Sequence, residues 1–191
     1  MRITGGIARN IPIKTVRGTD LRPAADRTRQ SVFSSISAAV DGASVLDLFA
    51  GTGSYGLEAI SRGAKHVEFV EKDHRHYKCL EGNIERILKL APTVSYHISL
   101  KDVTTWEPRD GQHFDLIFAD PPYNSLAEHL DSLMDRIRKW LKPASQSYFI
   151  LEAPANFEIE FPGLRLLRHL GKGKNATQPS ILIYNLEAVP E

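Results

Sequence analysis

The residues of this chain best suited to chemistry follow a short apolar segment, residues 116–119, which predicts a buried strand. The segment ends in Asp120, Pro121, Pro122 and Tyr123. Two consecutive prolines remove two backbone donors and restrict two φ angles, so the chain here is stiff and cannot continue pairing in a sheet. A rigid carboxylate, backbone carbonyls and a flat ring together suit the binding of a planar amine. This pattern indicates chemistry on the nitrogen of a nucleobase or an amide.

An exocyclic amine on a base is a poor nucleophile because its lone pair is delocalised into the ring. Two acceptors on its hydrogens, the Asp120 carboxylate and the Pro121 carbonyl, would turn that lone pair towards an incoming methyl group. They would also stabilise the positive charge that develops on nitrogen. Tyr123 would stack on a base turned out of its helix, a contact worth about 1–3 kcal/mol in single-strand binders. The alternative is a turn that only terminates a strand.

A second candidate site follows an earlier apolar segment. Gly51, Gly53 and Gly56 match the spacing G-x-G-x-x-G, and Glu71 stands twenty positions after the first glycine. Glycines at this spacing permit a tight turn and a close approach of the backbone to a ligand. An acid at the end of the next strand suits the two hydroxyls of a ribose. These features fit a nicotinamide cofactor and S-adenosylmethionine equally well.

Asp47, four residues before the first glycine, favours one of the two cofactors. The pyrophosphate of a dinucleotide would lie near this turn, where a fixed carboxylate repels it. S-adenosylmethionine carries an ammonium and a sulfonium and no phosphate, so an acid there helps binding. We therefore predict S-adenosylmethionine as the cofactor. Asp102, just after the third predicted strand, either accepts a hydrogen bond from the adenine amine or is an ordinary loop-capping residue.

Strand and helix patterns alternate along most of the chain and predict the elements that hold these residues. Strands are expected at 44–49, 66–70, 94–98, 114–119, 148–151, 164–170 and 180–186, and helices at 26–40, 54–62, 73–90 and 125–141. The last two strands have no helix between them, which predicts an antiparallel pair closing an otherwise parallel sheet. The fold class is α/β, a doubly wound Rossmann-like sheet with a short N-terminal hairpin. Ligands bind beyond the carboxyl ends of strands in such sheets, so the two candidate sites should face each other.

The composition is that of one globular domain. With 191 residues, of which 42% are hydrophobic and 25% charged, the chain is long enough to bury a full core. No apolar stretch is long enough to span a bilayer, and residues 1–6 lack the hydrophobic segment of a signal peptide. The single cysteine, Cys79, fits a reducing compartment, so we expect a cytoplasmic protein. The scattered histidines lack metal-ligand spacing, and no metal site is predicted.

Positive charge is concentrated at the N-terminus. Residues 1–29 carry a net charge of +5 and the remaining residues a net charge of −4. A basic arm on a mildly acidic body is typical of phosphate contact. Arg22, Arg27 and Arg29 lie near the start of a predicted helix, which favours phosphate binding there. The alternatives are a solvated hairpin edge and salt bridges to nearby aspartates.

These motifs together carry a family resemblance. Residues 46–53, with the tetrad at 120–123, resemble the class I amino-methyltransferases. The chain as a whole, including residues 2–6, 21–29 and 56–63, resembles the RsmD family. These are bacterial enzymes that methylate N2 of one guanine in small-subunit ribosomal RNA. The tetrad alone marks only an amino-methyltransferase, whereas the combination is specific.

The resemblance implies a seven-stranded sheet with a reversed last strand, in which residues 1–24 form an RNA-binding hairpin on a core of residues 25–191. It also implies small-subunit ribosomal RNA as the partner, presented on a ribosomal particle. The expected cofactor contacts are Asp47, Phe49, Ala50, Gly51, Gly53, Glu71, Lys72 and Asp102. The expected catalytic residues are Asp120, Pro121 and Tyr123, and the expected RNA contacts are Arg9, Arg22, Arg27 and Arg29. The chain departs from the family at residues 8–10, which keep one of two arginines, and at Ala24.

We therefore predict an S-adenosylmethionine-dependent guanine-N2 methyltransferase. The nearest alternative is methylation of a DNA base or a protein glutamine by the same tetrad, although such enzymes commonly have Asn in place of Asp120 and a separate recognition domain. A nicotinamide-dependent oxidoreductase is disfavoured by Asp47. A non-catalytic RNA-binding module would be expected to have lost the glycines or the tetrad, and neither is lost.

Overall fold

The computed structural model describes residues 1–16, 23–122, 126–157, 160–171 and 179–187. The α-helices in these segments are α1 (Pro23–Ser35), α2 (Ser54–Ser61), α3 (His74–Leu88) and α4 (Leu126–Trp140). The strands are β1 (Ser44–Leu48), β2 (His66–Glu71), β3 (Ser95–Leu100), β4 (Leu116–Ala119), β5 (Tyr148–Pro154), β6 (Leu164–Leu170) and β7 (Pro179–Leu186). A short 3₁₀ helix, Ser37–Ala39, follows α1.

The seven strands form one sheet in the order β3-β2-β1-β4-β5-β7-β6. β1 lies between β2 and β4, and β3 and β5 continue the parallel part on either side. β7 runs antiparallel to both β5 and β6. The predicted α/β class and the antiparallel closing pair are therefore confirmed. The crossover from β3 to β4 carries the chain from one side of β1 to the other, which places the switch point between β1 and β4.

The first helix differs most from its prediction. Instead of covering 26–40, it begins at Pro23 and ends at Ser35. Proline is suited to the first turn of a helix because its missing N–H is not needed there. The hydroxyls of Ser31 and Ser35 each donate to a carbonyl one turn earlier at 3.0 Å, a local bond that weakens helices.

The sheet buries side chains on both faces. On one face, Phe33 of α1 and Leu57 of α2 pack with Phe118 of β4. On the other face, Ile137 of α4 packs against residues of the same strands. All five residues of β1 are buried, as expected for a parallel strand that is covered on both sides. Successive β1 side chains alternate between the faces, so that Asp47 points towards α2 and bonds to it.

The N-terminal hairpin is part of the same packed body. Arg2 pairs with Pro12 in an isolated antiparallel bridge, and Ile3 is fully buried in the core beneath α1 and α2. At the end of α2, the Ser61 hydroxyl accepts a hydrogen bond from the Ala8 amide at 2.9 Å. The same hydroxyl donates to a hairpin carbonyl at 2.6 Å. The hairpin is therefore held against α2 by both apolar contacts and hydrogen bonds.

A buried ion cluster also anchors the hairpin. Glu58 of α2 is 0% exposed, and its carboxylate accepts from Arg29 Nε at 3.1 Å and from Arg62 Nε at 2.8 Å. Thr4 of the hairpin donates to the same carboxylate through its amide at 2.8 Å and its hydroxyl at 2.7 Å. A buried charge is tolerated only when it is paired and hydrogen-bonded in this way.

The prediction that Arg29 contacts RNA is wrong. Its side chain is 1% exposed and is surrounded by the Glu58 carboxylate, the Asp26 carboxylate at 2.9 Å and the Arg2 carbonyl. An arginine enclosed in this way cannot reach a phosphate. The alternative role as an ion-pair partner is the correct one for this residue.

In the segments that the structure describes, no helix combines the length and apolar character needed to cross a bilayer. Within the same segments, no group of three or more His, Cys, Asp or Glu side chains is arranged to hold a metal ion. The Cys79 thiol donates to the Lys14 carbonyl at 3.3 Å, and partial burial raises the pKa of Cys79. The cysteine is therefore a packing residue, because a raised pKa keeps it in its unreactive thiol form.

We expect Arg29→Met to lower the free energy of unfolding by about 3–5 kcal/mol, because it leaves the buried Glu58 carboxylate short of a partner. Arg27 lies on the same helix and is exposed, so Arg27→Met should change that free energy by no more than about 0.5 kcal/mol. Urea unfolding of both variants measures the two values. Similar losses in the two variants would contradict the structural role of Arg29.

Candidate active site

The strands β1, β2 and β4 end together at one edge of the sheet, and β5 runs alongside β4 past this edge. Leu48 of β1 is in register with Val70 of β2 and with Ala119 of β4. Ala119 is in turn in register with Leu151 of β5. The residues around these strand ends are therefore neighbours in space, although they are distant in sequence. The predicted meeting of the first and fourth strand ends is confirmed.

A cavity of about 370 Å³ opens at this edge, between the turn after β1 and the ends of β2 and β4. This volume is in the range of small-molecule sites, about 300–1,000 Å³. Predicted site residues that line it are Phe49, Gly51, Glu71, Lys72 and Asp120. Expected cofactor contacts and the expected catalytic carboxylate thus share one cavity, which is the geometry that group transfer between two bound molecules requires.

Several residues of the cavity wall were not singled out from the sequence. Val70 and Val103 are buried apolar residues at the ends of β2 and in the loop after β3. His76 of α3 and Lys101 after β3 add polar surface to the wall. Val70 directly precedes Glu71, the predicted ribose-binding acid. Its position near the end of a predicted strand could have identified Val70 as a residue of the cavity wall.

The turn after β1 has an unusual backbone. Phe49, Gly51 and Gly53 all have positive φ angles, of 56°, 56° and 86°. The φ angle of Gly53 favours glycine, and a Cβ atom there would lie 2.3 Å from Leu80 Cδ1, so the Leu80 side chain would have to move. Phe49 adopts a left-handed conformation without being glycine, and such strained residues cluster at ligand sites. Of the other predicted contacts, Ala50 is buried within this turn.

Asp47 lies beneath the turn. Its side chain is buried, and Oδ2 accepts a hydrogen bond from the Gly56 amide of α2 at 2.8 Å. Burial, together with the charge of Glu71, raises the pKa of Asp47 to about 8, against the lowering effect of the Gly56 amide. Gly56 leaves room for this approach, because a Cβ there would lie 3.0 Å from Asp47 Oδ2 and 2.2 Å from Phe69 Cε1. Direct contact of Asp47 with a cofactor stays a prediction.

Glu71 connects the two loops that border the cavity. One carboxylate oxygen accepts from the Gly51 amide at 2.7 Å, and the other accepts from the Asp73 amide at 2.6 Å. The bonds hold the glycine turn in place against the end of β2. A carboxylate oxygen can accept a second hydrogen bond, so ribose hydroxyls can bind without displacing these amides.

Asp102 has the contacts of a loop-capping residue. Its Oδ1 accepts from the Thr104 amide at 2.9 Å and from the Thr104 hydroxyl at 2.8 Å, and its Oδ2 pairs with Lys72 at 3.1 Å. The hydrogen bonds from Thr104, followed by the nearby Lys72 ammonium, lower the pKa of Asp102 to about 2. Its proposed bond to an adenine amine stays a prediction.

Asp120 stands at the cavity wall, directly after β4. It is exposed to the space of the cavity, and the adjoining Pro121 is buried while Pro122 is exposed. Desolvation by the surrounding protein, followed by the charges of Glu152 and Asp47, raises the pKa of Asp120 well above its usual range. Asp120 therefore has a stronger affinity for a proton than an ordinary aspartate. Tyr123, its predicted partner, lies outside the described residues.

Two residues of this edge were missed by the sequence analysis. Glu152 of β5 accepts a hydrogen bond from the Tyr55 hydroxyl of α2 at 3.0 Å. Burial, followed by the charges of Glu152 and Asp120, raises the pKa of Tyr55 well above its usual range, so the phenol stays protonated and donates. Glu152 follows the apolar residues 148–151, as Asp120 follows the apolar residues 116–119, and this shared pattern could have indicated it.

The remaining predicted RNA contacts are on the surface or outside the described residues. Arg9 of the hairpin and Arg27 of α1 are exposed. Arg22 is outside the described residues. Their contact with RNA stays a prediction.

The free energy of unfolding should fall as the pH rises from about 5 to 8, because folded Asp47 keeps a proton that the unfolded chain releases near pH 3.8. Each retained proton contributes up to about 1.4 kcal/mol per pH unit. Asp47→Asn keeps an acceptor for the Gly56 amide but does not titrate. Its stability relative to the wild type should therefore increase with pH in urea unfolding at several pH values. Parallel profiles for the two proteins would refute the raised pKa.

Comparison with known proteins identifies the family. Residues 1–179 match the family model described as conserved hypothetical protein 95. The chain is 34% identical over 150 residues to ribosomal RNA small subunit methyltransferase D of Haemophilus influenzae, covering 78% of this chain and 77% of the relative. Its identity to the protein of the same name from Escherichia coli K12 is 27% over 193 residues, covering 100% and 92%.

A solved structure from Escherichia coli has the same fold. It superposes with a TM-score of 0.78 at 23% identity, and the match covers 99% of both chains. This likeness agrees with the α/β fold described above. The chain belongs to the conserved hypothetical protein 95 family, the RsmD-type methyltransferases with a class I fold.

Proposed function

We propose that this protein transfers a methyl group from S-adenosylmethionine to the exocyclic N2 amine of a guanine in small-subunit ribosomal RNA. The observation that carries the proposal is the shared cavity, in which Gly51 and Glu71 line one part and Asp120 another. Relatives named for methylation of small-subunit ribosomal RNA support the same substrate. We infer a cytoplasmic location from that substrate.

The charge of the site supports S-adenosylmethionine over a dinucleotide. Asp47, Glu71 and Asp120 bring three acidic groups to one edge, where a pyrophosphate would be repelled. Burial, followed by repulsion from neighbouring acids, raises the pKa of Asp47 and Asp120, and a ligand with positive charges favours the ionised forms of both. When bound, S-adenosylmethionine supplies an activated methyl group on sulfur. Glu71 would orient its ribose, and Val70 and Val103 provide apolar surface for the adenine.

Asp120 has the position and proton affinity that amine methylation requires. Its carboxylate would accept a hydrogen bond from the N2 amine and orient the nitrogen lone pair towards the methyl group. As the N–C bond forms, the nitrogen becomes positive, and the adjacent carboxylate stabilises that charge. The raised pKa of Asp120, caused by its surroundings and by Glu152, suits it to take the proton that the methylated nitrogen releases. Pro121 and Tyr123 are proposed to complete the acceptor site.

We expect Asp120→Ala to lower the rate of methyl transfer at least about 1,000-fold, since an electrostatic partner of the reacting nitrogen is lost. Wild type and variant are incubated with labelled S-adenosylmethionine and small subunits that lack the modification, and the labelled nucleotide is identified by mass. Cofactor affinity, measured by calorimetry, should change less than about threefold.

Asp110→Ala is the matched control, because Asp110 is exposed in the loop that precedes β4 at the opposite sheet edge. The catalytic role of Asp120 would be contradicted if Asp120→Ala kept full activity, or if only Asp110→Ala lost methyl transfer. Absence of label from wild-type reactions, or label on a base other than guanine, would refute the proposed function itself.

Arg9 and Arg27 are proposed to contact RNA phosphates, because both are exposed on the basic N-terminal part of the chain. In the double variant Arg9→Ala/Arg27→Ala, the slope of log affinity against log salt should decrease by about 2, one unit for each lost phosphate contact. Binding to small-subunit ribosomal RNA is measured over a salt series. Arg165→Ala, at an exposed arginine of edge strand β6, is the control and should leave the slope unchanged. An unchanged slope in the double variant would contradict the contacts.

A further inference from the structure

A second carboxylate stands next to the catalytic one. Ala119 of β4 and Leu151 of β5 are register partners, and Asp120 and Glu152 directly follow this pair. Adjacent parallel strands lie about 4.8 Å apart, so the two acids begin side by side. Their proximity agrees with the raised pKa of Asp120, which is caused first by desolvation from the surrounding protein and then by the charge of Glu152.

Tyr55 restricts the orientation of Glu152. The Tyr55 hydroxyl donates to Glu152 Oε2 at 3.0 Å, and the Tyr55 ring stacks on Phe118 of β4, with centroids 5.1 Å apart and planes 18° apart. Tyr55 is 7% exposed, so its ring is held by the core. A carboxylate has about four acceptor positions on its two oxygens, so it can accept more than one hydrogen bond. Glu152 is therefore a half-buried, oriented acceptor beside Asp120.

The Watson–Crick edges of the bases differ in the atom next to the amine. In guanine, the N2 amine is adjacent to the N1–H group, which is a second donor. In adenine and cytosine, the amine is adjacent to a ring nitrogen with a lone pair, which a carboxylate repels. Two neighbouring carboxylates therefore match guanine and reject the other amino bases.

We propose that Glu152 is a specificity-determining residue, which accepts a hydrogen bond from guanine N1–H while Asp120 holds the N2 amine. This inference rests on the proposed function and adds the group that selects guanine. Tyr55 is the positioning residue for Glu152. The Tyr55 hydroxyl donates to Glu152, so the carboxylate presents acceptors to a base edge that carries two donors.

The test uses small subunits reconstituted with ribosomal RNA that carries either guanosine or 2-aminopurine riboside at the methylated position. 2-Aminopurine keeps the N2 amine but has a lone pair in place of N1–H. Wild-type protein should methylate guanosine about 10- to 100-fold faster than 2-aminopurine riboside. This ratio is typical of replacing one hydrogen bond to a charged group by one mismatched contact. In Glu152→Gln, the amide can accept from N1–H or donate to a lone pair, so the ratio should fall to within about threefold.

Glu187→Gln is the matched control, because Glu187 is exposed after β7 at the opposite edge of the sheet and should retain the wild-type ratio. The inference is overturned if wild-type protein methylates the two bases at the same rate. This outcome does not depend on whether Glu152→Gln folds. It is also overturned if Glu152→Gln keeps the wild-type ratio. Failure of wild-type protein to methylate guanosine would instead refute the proposed function, so the two failures are distinguishable.

Discussion

Concentrated negative charge at the carboxyl edge of the sheet governs the rest of the site. Asp47, Glu71 and Glu152 lie on β1, β2 and β5, and Asp120 directly follows β4, so the four acids come from neighbouring parallel strands at one edge. Burial and mutual repulsion raise the pKa of Asp47 and Asp120. Such a cluster is unfavourable unless protons, cations or hydrogen-bond donors are bound to it. A positively charged cofactor and a base edge rich in donors are partners that satisfy this requirement together.

The second helix connects this charged edge to the N-terminal hairpin. Its first turn carries Tyr55, which holds Glu152, and Gly56, whose amide bonds to Asp47. Its second turn carries Glu58 and Ser61, which bind the hairpin and the buried Arg29. One short helix thus sets the distance between the cavity and the proposed RNA-binding surface. The stability of the Glu58 cluster therefore also determines how well the hairpin is positioned for RNA.

Much of the fold could be predicted from residue patterns, because strand and helix periodicities are local properties. The acids near the ends of β1 and β2 and directly after β4 were found by their position relative to apolar segments, and the structure brings all three to one edge. Glu152 was missed because the fifth strand was expected to end at residue 151, whereas β5 continues to Pro154. Its pairing with β7, which is distant in sequence, extends the strand beyond the purely apolar residues.

The sequence by itself determined the α/β class, the glycine turn and the acid that follows the fourth strand, since each depends on residue type and short-range spacing. The tertiary structure alone decided which charges are available. Arg27 and Arg29 are two positions apart on one helix, yet one is exposed and the other is enclosed by Glu58 and Asp26. Sequence does not reveal this difference, because burial of a side chain depends on which distant segments pack around it. The same dependence sets the raised pKa of Asp47, which arises from burial beneath α2 and from the nearby Glu71.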